Sequence, residues 1–221
     1  MKCLKLFFAA IITLTLFNIT NAQKNQPYGF NSAYVEKTTE TNTSGIIIKT
    51  SEKIFINDGG NLIRREVEQE QSIPQMNHTV KSISISITNK DSIISWDPAT
   101  NTGNIMKNPL DDAFQNMTEE QAQQFGQEMA DAMNTEITEL GTGEVAGVTC
   151  IINKAVTNMM GMNIVTTTWT YLNFLMKSVS EGMVTSIEEV TLFIEDADND
   201  PGLFVKPTDV TFTSVSLPFG N

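Results

Sequence analysis

The stretch Thr79-Val80-Lys81-Ser82-Ile83-Ser84-Ile85-Ser86-Ile87-Thr88 alternates serine and isoleucine over its second half. A period of two places Ile83, Ile85 and Ile87 on one side of a β-strand and the serines on the other. The sequence therefore predicts a strand with one buried and one wet face. The pattern continues outward. Asn89-Lys90-Asp91 turns the chain into Ser92–Trp96, and Asp97-Pro98 through Gly103 ends that run. Upstream, Asn57-Asp58-Gly59-Gly60-Asn61 separates Lys53–Ile56 from Leu62–Gln69 as a hairpin turn. Downstream, Gly147–Ala155, Ile164–Leu172, Phe174–Ser180, Met183–Glu195 and Val210–Val215 are further strand runs. Their connections are too short for the crossovers of parallel strands, so neighbours should be mostly antiparallel.

One segment has the helical period. Thr118-Glu119-Glu120-Gln121 fits a capping box, and Ala122, Phe125, Met129, Met133, Ile137 and Leu140 then recur every three or four residues. Gly141 is the expected stop. The fold class is mainly β (α+β): one curved antiparallel sheet with one main amphipathic helix inserted midway.

The chain has 221 residues, 40% apolar and 18% charged, which is the composition of one globular domain. Its net charge of −12 excludes a nucleic-acid-binding face, which needs clustered Lys and Arg. Residues 1–22 combine Lys2 and Lys5, an apolar run from Leu6 to Phe17, and Ala22 before Gln23. This is the layout of a secretory signal, too short to span a bilayer, and cleavage is expected near Ala22-Gln23. Cys3 precedes the apolar run, so no lipid anchor is expected. No later stretch is long and apolar enough to form a transmembrane segment. Cleavage leaves 12 basic against 26 acidic residues, a net −14. Residues 23–30 read as a loose tail, 31–216 as one domain and 217–221 as a C-terminal tail. Cys150 is then the only cysteine, and its apolar setting predicts a buried structural thiol.

Chemistry is sparse. Gly141-Thr142-Gly143-Glu144-Val145-Ala146 matches a loose dinucleotide fingerprint, but it precedes a strand where the motif needs a helix. Asp196, Asp198 and Asp200 match the first positions of a calcium loop. Pro201 and Pro207 then stand where glycine and glutamate are required, leaving an irregular calcium site or a solvated acidic loop. His78 is the only histidine, too few for zinc and the sole base for any triad. No metal, cofactor or catalytic group is expected, and the chain reads as a non-enzyme.

Several fragments carry a family resemblance: Glu52 to Gly60, Ile94-Ser95-Trp96-Asp97-Pro98, Met106-Lys107-Asn108-Pro109, Met117-Thr118-Glu119-Glu120, Gly143 to Cys150, Thr168-Trp169-Thr170-Tyr171 and Phe204-Val205-Lys206-Pro207. Their order resembles an exported envelope domain of Gram-negative bacteria, described mainly as a domain of unknown function and similar to the LolA-like lipoprotein carriers. The resemblance implies a half-open antiparallel barrel with helices across its concave side. The implied partner is a lipid, an acyl chain or another apolar ligand, and the location is periplasmic or secreted. No carrier residue matches position by position. Arg64 and Arg65 are the only arginines, and as neighbours on a strand they face opposite ways.

If the concave face binds such a ligand, sheet and helix should line it together. The expected residues are Ile83, Ile85 and Ile87, Trp169 and Tyr171 two apart on one strand, and Phe125, Met129 and Met133 from the helix stripe. A structural or protein-interaction domain with a core filled by these same residues is the alternative. A carboxylate-based hydrolase comes third.

Overall fold

The computed structural model describes residues 27–108, 121, 124, 128, 134–159, 162–182 and 184–215. Twelve strands run in chain order: β1 (Ala33–Thr43), β2 (Ile46–Asn57), β3 (Leu62–Ile73), β4 (His78–Thr88), β5 (Ser92–Asp97), β6 (Thr102–Lys107), β7 (Thr135–Val145), β8 (Val148–Met159), β9 (Met162–Tyr171), β10 (Phe174–Glu181), β11 (Thr185–Glu195) and β12 (Thr211–Val215). They form one sheet in the order β12-β6-β5-β4-β3-β2-β1-β11-β10-β9-β8-β7. Every pairing is antiparallel except β12 on β6. The sheet is therefore mixed, because the chain after β11 returns to the far edge instead of turning back on its neighbour.

The turns follow local chemistry. Ser44-Gly45 and Ala146-Gly147 pair two positive φ values in two-residue hairpin loops, and Leu172-Asn173 does the same between β9 and β10. Such turns match the right-handed twist of the strands they join. Bulges interrupt the ladders between Glu36 and Lys37, between Leu175 and Lys177, and between Glu139 and Gly141. Bulges bend the strand and strengthen its twist. The sheet curls but does not close: β7, four places from β11 in the order, comes back into contact with it.

Strand register divides the side chains between two faces. Ala33, Val35, Ile54, Ile56 and Ile63 share the inner face, and each is buried. They join Cys150, Phe174, Met176 and Val190 in the larger core. Tyr28 and Phe30 plug its end. Phe30 stacks on Tyr28 at 5.3 Å and meets Phe174 and Phe193 edge-on at 6.0 and 5.5 Å. In the stretch expected as a loose tail, Phe30 is thus buried and Tyr28 half-buried against the core, while Pro27 and Gly29 stay exposed. A second core, Ile87, Ile94 and Trp96, lies on the outer face under Phe212 and Val210.

The expected helix is corrected at its end. Thr135 to Leu140 belong to β7, not to a helix. Asn134 has a left-handed φ of 50°, which stops helical backbone there. The β-branched Thr135, Ile137 and Thr138 then pair with β8, and that ladder outweighs the three-and-four spacing of Met133, Ile137 and Leu140. Gln121, Gln124 and Glu128 have helical backbone and exposed side chains, and Gln124 Nε2 donates to Glu128 Oε1 at 2.9 Å. Phe125, Met129 and Met133 lie outside the described residues, as do residues 1–22 and 217–221. The Gly141–Ala146 motif is the bulged end of β7 and its hairpin turn, which leaves no helix N-terminus for a pyrophosphate.

The acidic loop after β11 locks the sheet's end through an amide. Asn199 Nδ2 donates to Ala33 O at 3.1 Å, Ile56 O at 3.0 Å and Asn57 Oδ1 at 3.1 Å. Asp200 Oδ1 accepts from the Gly202 backbone at 2.8 Å, starting a short 3₁₀ turn over Pro201–Phe204. Asn199→Ala leaves those acceptors unpaired and should cost about 2 kcal/mol. Asp198→Ala, at an exposed neighbour, should change the denaturation midpoint little. Equal midpoints for the two variants would refute the lock.

Candidate functional site

Two places gather polar side chains on the sheet. The first is on the inner face, where the apolar core ends. Lys37, Glu52 and Arg65 stand on β1, β2 and β3. Lys37 Nζ lies 3.0 Å from Glu52 Oε2 and 2.7 Å from Glu188 Oε1, and Arg65 donates through Nη1 to Glu52 Oε1 at 2.9 Å. Burial alone would raise the Glu52 carboxyl, but Arg65 and then Lys37 overcome it and hold it below the ordinary carboxylate range. The arginine pair is now resolved. Arg65 faces inward, whereas Arg64 lies 5.5 Å over the Trp96 ring on the outer face and donates to Leu203 O at 2.8 Å. Sequence showed that the two must face opposite ways, and only the register says which faces in.

The second place is a groove of about 620 Å³ on the outer face, crossing β11, β1, β2, β3 and β4. One registered row across it is Glu189, Thr38, Ser51, Glu68 and Ile83. The next row is Ile187, Glu40, Lys49, Glu70 and Lys81. The small Thr38 and Ser51 between longer neighbours create the depression. Lys49 pairs with Glu40 at 3.5 Å and Lys81 with Glu70 at 2.9 Å.

The residues expected to line a ligand site are divided by the sheet. Ile83, Ile85 and Ile87 all point to the outer face: Ile87 is buried in the second core, Ile85 is half-buried against it, and Ile83 is 48% exposed in the groove. The strand's serine side faces inward, so the expected burial of the isoleucine face holds only at the β5 end. Trp169 and Tyr171 instead pack against the larger core, with Tyr171 Oη donating to Glu195 Oε2 at 2.8 Å and Lys177 Nζ 5.4 Å over the Trp169 ring. The structure does not bring these two groups together. Glu52, Ile187 and Glu189 were missed. A glutamate inside Thr50-Ser51-Glu52-Lys53 carries no sign of burial until the inward alternation of Ile54 and Ile56 is extended back to it.

Cys150 is fully buried, and burial raises its thiol, so it is a packing residue. His78 is exposed at the start of β4. No three His, Cys, Asp or Glu side chains among the described residues are grouped to hold a metal, Asp196, Asp198 and Asp200 included. No helix among those residues is long and apolar enough to cross a membrane.

No protein-family model and no curated protein matches the sequence. Solved structures give distant likenesses. An uncharacterised conserved protein from Thermus thermophilus is 9% identical with a TM-score of 0.48, over 93% of this chain and 99% of that one. The MucA/MucB complex of Pseudomonas aeruginosa gives 9% and 0.47, over 92% of this chain and 63% of the other. LprF from Mycobacterium bovis gives 11% and 0.38, over 90% and 96%. At these identities and scores the likenesses say nothing of ligand or partner.

Proposed function

We propose that this chain is a non-catalytic, exported protein of the bacterial envelope, with a core filled by its own side chains, that engages other polypeptides on its sheet. The packing of the inner face carries this reading. Ala33, Val35, Ile54, Ile56, Met176 and Cys150 are 0% exposed, and the rings of Tyr28, Phe30, Phe174 and Phe193 pack on one another against them. The outer groove is lined mostly by polar and charged residues, unlike the mainly hydrophobic linings of pockets that hold small apolar ligands. The signal layout of residues 1–22 and the family resemblance support export.

An apolar ligand is the second reading, and one observation favours it. β6 stands next to one end of the sheet order and β7 forms the other end. The sequence between these strands carries the apolar Phe125, Met129 and Met133, side chains suited to an acyl chain.

Native mass spectrometry of protein purified from its own envelope tests both readings. The expected mass is that of a chain beginning at or within a few residues of Gln23, with no adduct. A lipid adduct of several hundred daltons would favour the carrier. An intact Met1 in the exported fraction would refute processing.

A further inference from the structure

We propose that the outer groove is a docking site for an extended, basic polypeptide segment carrying two Lys or Arg side chains four residues apart. This deepens the reading above and rests on it. Four carboxylates line the groove, Glu40, Glu68, Glu70 and Glu189, against two lysines, Lys49 and Lys81. The lysines are committed to Glu40 and Glu70, and Glu189 shares its charge with Lys177 at 3.1 Å. Glu68 is exposed and forms no ion pair among the described residues.

Glu68 and Glu189 stand in one registered row, three strand spacings apart, about 14 Å at the usual inter-strand distance. An extended chain rises about 3.4 Å per residue, so side chains at i and i+4 emerge on the same side about 14 Å apart. Beside each carboxylate stands an exposed isoleucine, Ile83 next to Glu68 on β4 and Ile187 two residues from Glu189 on β11, 48% and 46% exposed. A Lys or Arg side chain suits each end: its aliphatic stem lies on the isoleucine while its charge reaches the carboxylate. Thr38 and Ser51 leave room for the backbone between the two ends. The net charge of −12 disfavours a second copy of this chain, an anionic membrane surface and a nucleic acid as occupants.

The test is fluorescence anisotropy with the full mature protein at low salt and a dye-labelled, end-blocked peptide, Lys-Thr-Val-Thr-Lys. The expected result is saturable binding. Glu68→Gln should weaken it about fivefold, the scale of one exposed ion pair, and Glu68→Lys by more than about tenfold, since it adds repulsion. A peptide of the same composition with adjacent lysines should bind less tightly. Glu144→Lys on β7, the same charge change outside the groove, should leave affinity unchanged. Ile83→Ser gives a second groove variant should Glu68→Lys disturb folding, and it should weaken binding too. Absence of saturable binding, equal loss with Glu144→Lys, or indifference to lysine spacing would each overturn the groove. Peptide binding that ignores Glu68 and Ile83 also overturns it, while leaving polypeptide recognition standing elsewhere on the sheet. A lipid adduct in the native spectrum overturns the broader reading whatever the peptide does.

Discussion

Glu52→Ala is expected to destabilise the protein by about 3 kcal/mol, toward the lower end of the cost of breaking a buried ion pair. The glutamate side chain is 10% exposed and the Lys37 side chain 13% exposed, so water repays little of what Lys37 loses. Lys37 keeps Glu188, and Arg65 is 35% exposed, which is why the lower end applies. The pH dependence has a definite sign. The folded carboxyl titrates below its ordinary value, so its stabilising contribution is present above the unfolded pKa of about 4.3 and is lost as pH falls through the folded value. Chemical denaturation from pH 7 to pH 3 should show the gap between wild type and Glu52→Gln widest at neutral pH and narrowing below about pH 4. A gap constant across that range would mean that ionisation of Glu52 contributes nothing to stability. Lys49→Ala is the contrast, because Lys49 and Glu40 are 63% and 60% exposed and such pairs contribute little.

What sequence made legible was whatever depends on neighbours along the chain. The Asn57–Asn61 turn, the strands on either side of it and the alternation from Ile83 to Ile87 are local patterns, and each is present. The parallel return of β12 to β6 is not local. It joins residues about a hundred positions apart, and nothing in Val210–Val215 marks its partner. Thr135–Leu140 satisfied two periods at once, and the choice went to the ladder that β8 could offer, which a single segment does not reveal. The same limit divided the expected site. Alternation correctly grouped Ile83 with Ile87, and Trp169 with Tyr171, but the face each pair occupies is set by sheet curvature and bulges. A bulge at one residue reverses the assignment of everything beyond it. Charge was legible as a total and not as a place: only the register sets Glu68 and Glu189 in one row.

Gly103 shows how one residue can hold the far edge of the sheet. It lies on β6 between β5 and β12, opposite Trp96 and Phe212. A Cβ there would press on the Ser95 carbonyl oxygen and would stand 2.7 Å from Phe212 Cε1 and 2.8 Å from Trp96 Cβ. Its backbone is not left-handed, so an alanine at this position is opposed by contact alone. The aromatic rings have nowhere to retreat, since Trp96 is 8% exposed, meets Phe212 at 6.4 Å and lies under Arg64. Gly103→Ala should therefore cost about 3 kcal/mol, at the upper end of overpacking. That corresponds to a fall in Tm of roughly 6–12 °C for a chain of this length. Asn104→Ala, one residue on and exposed, should leave Tm nearly unchanged. Because β12 has β6 as its one partner in the sheet, the loss should be local first. Hydrogen exchange should quicken in Thr211–Val215 before it quickens in β1 or β2. Uniform acceleration across all strands would mean instead that this edge and the inner core unfold as one unit.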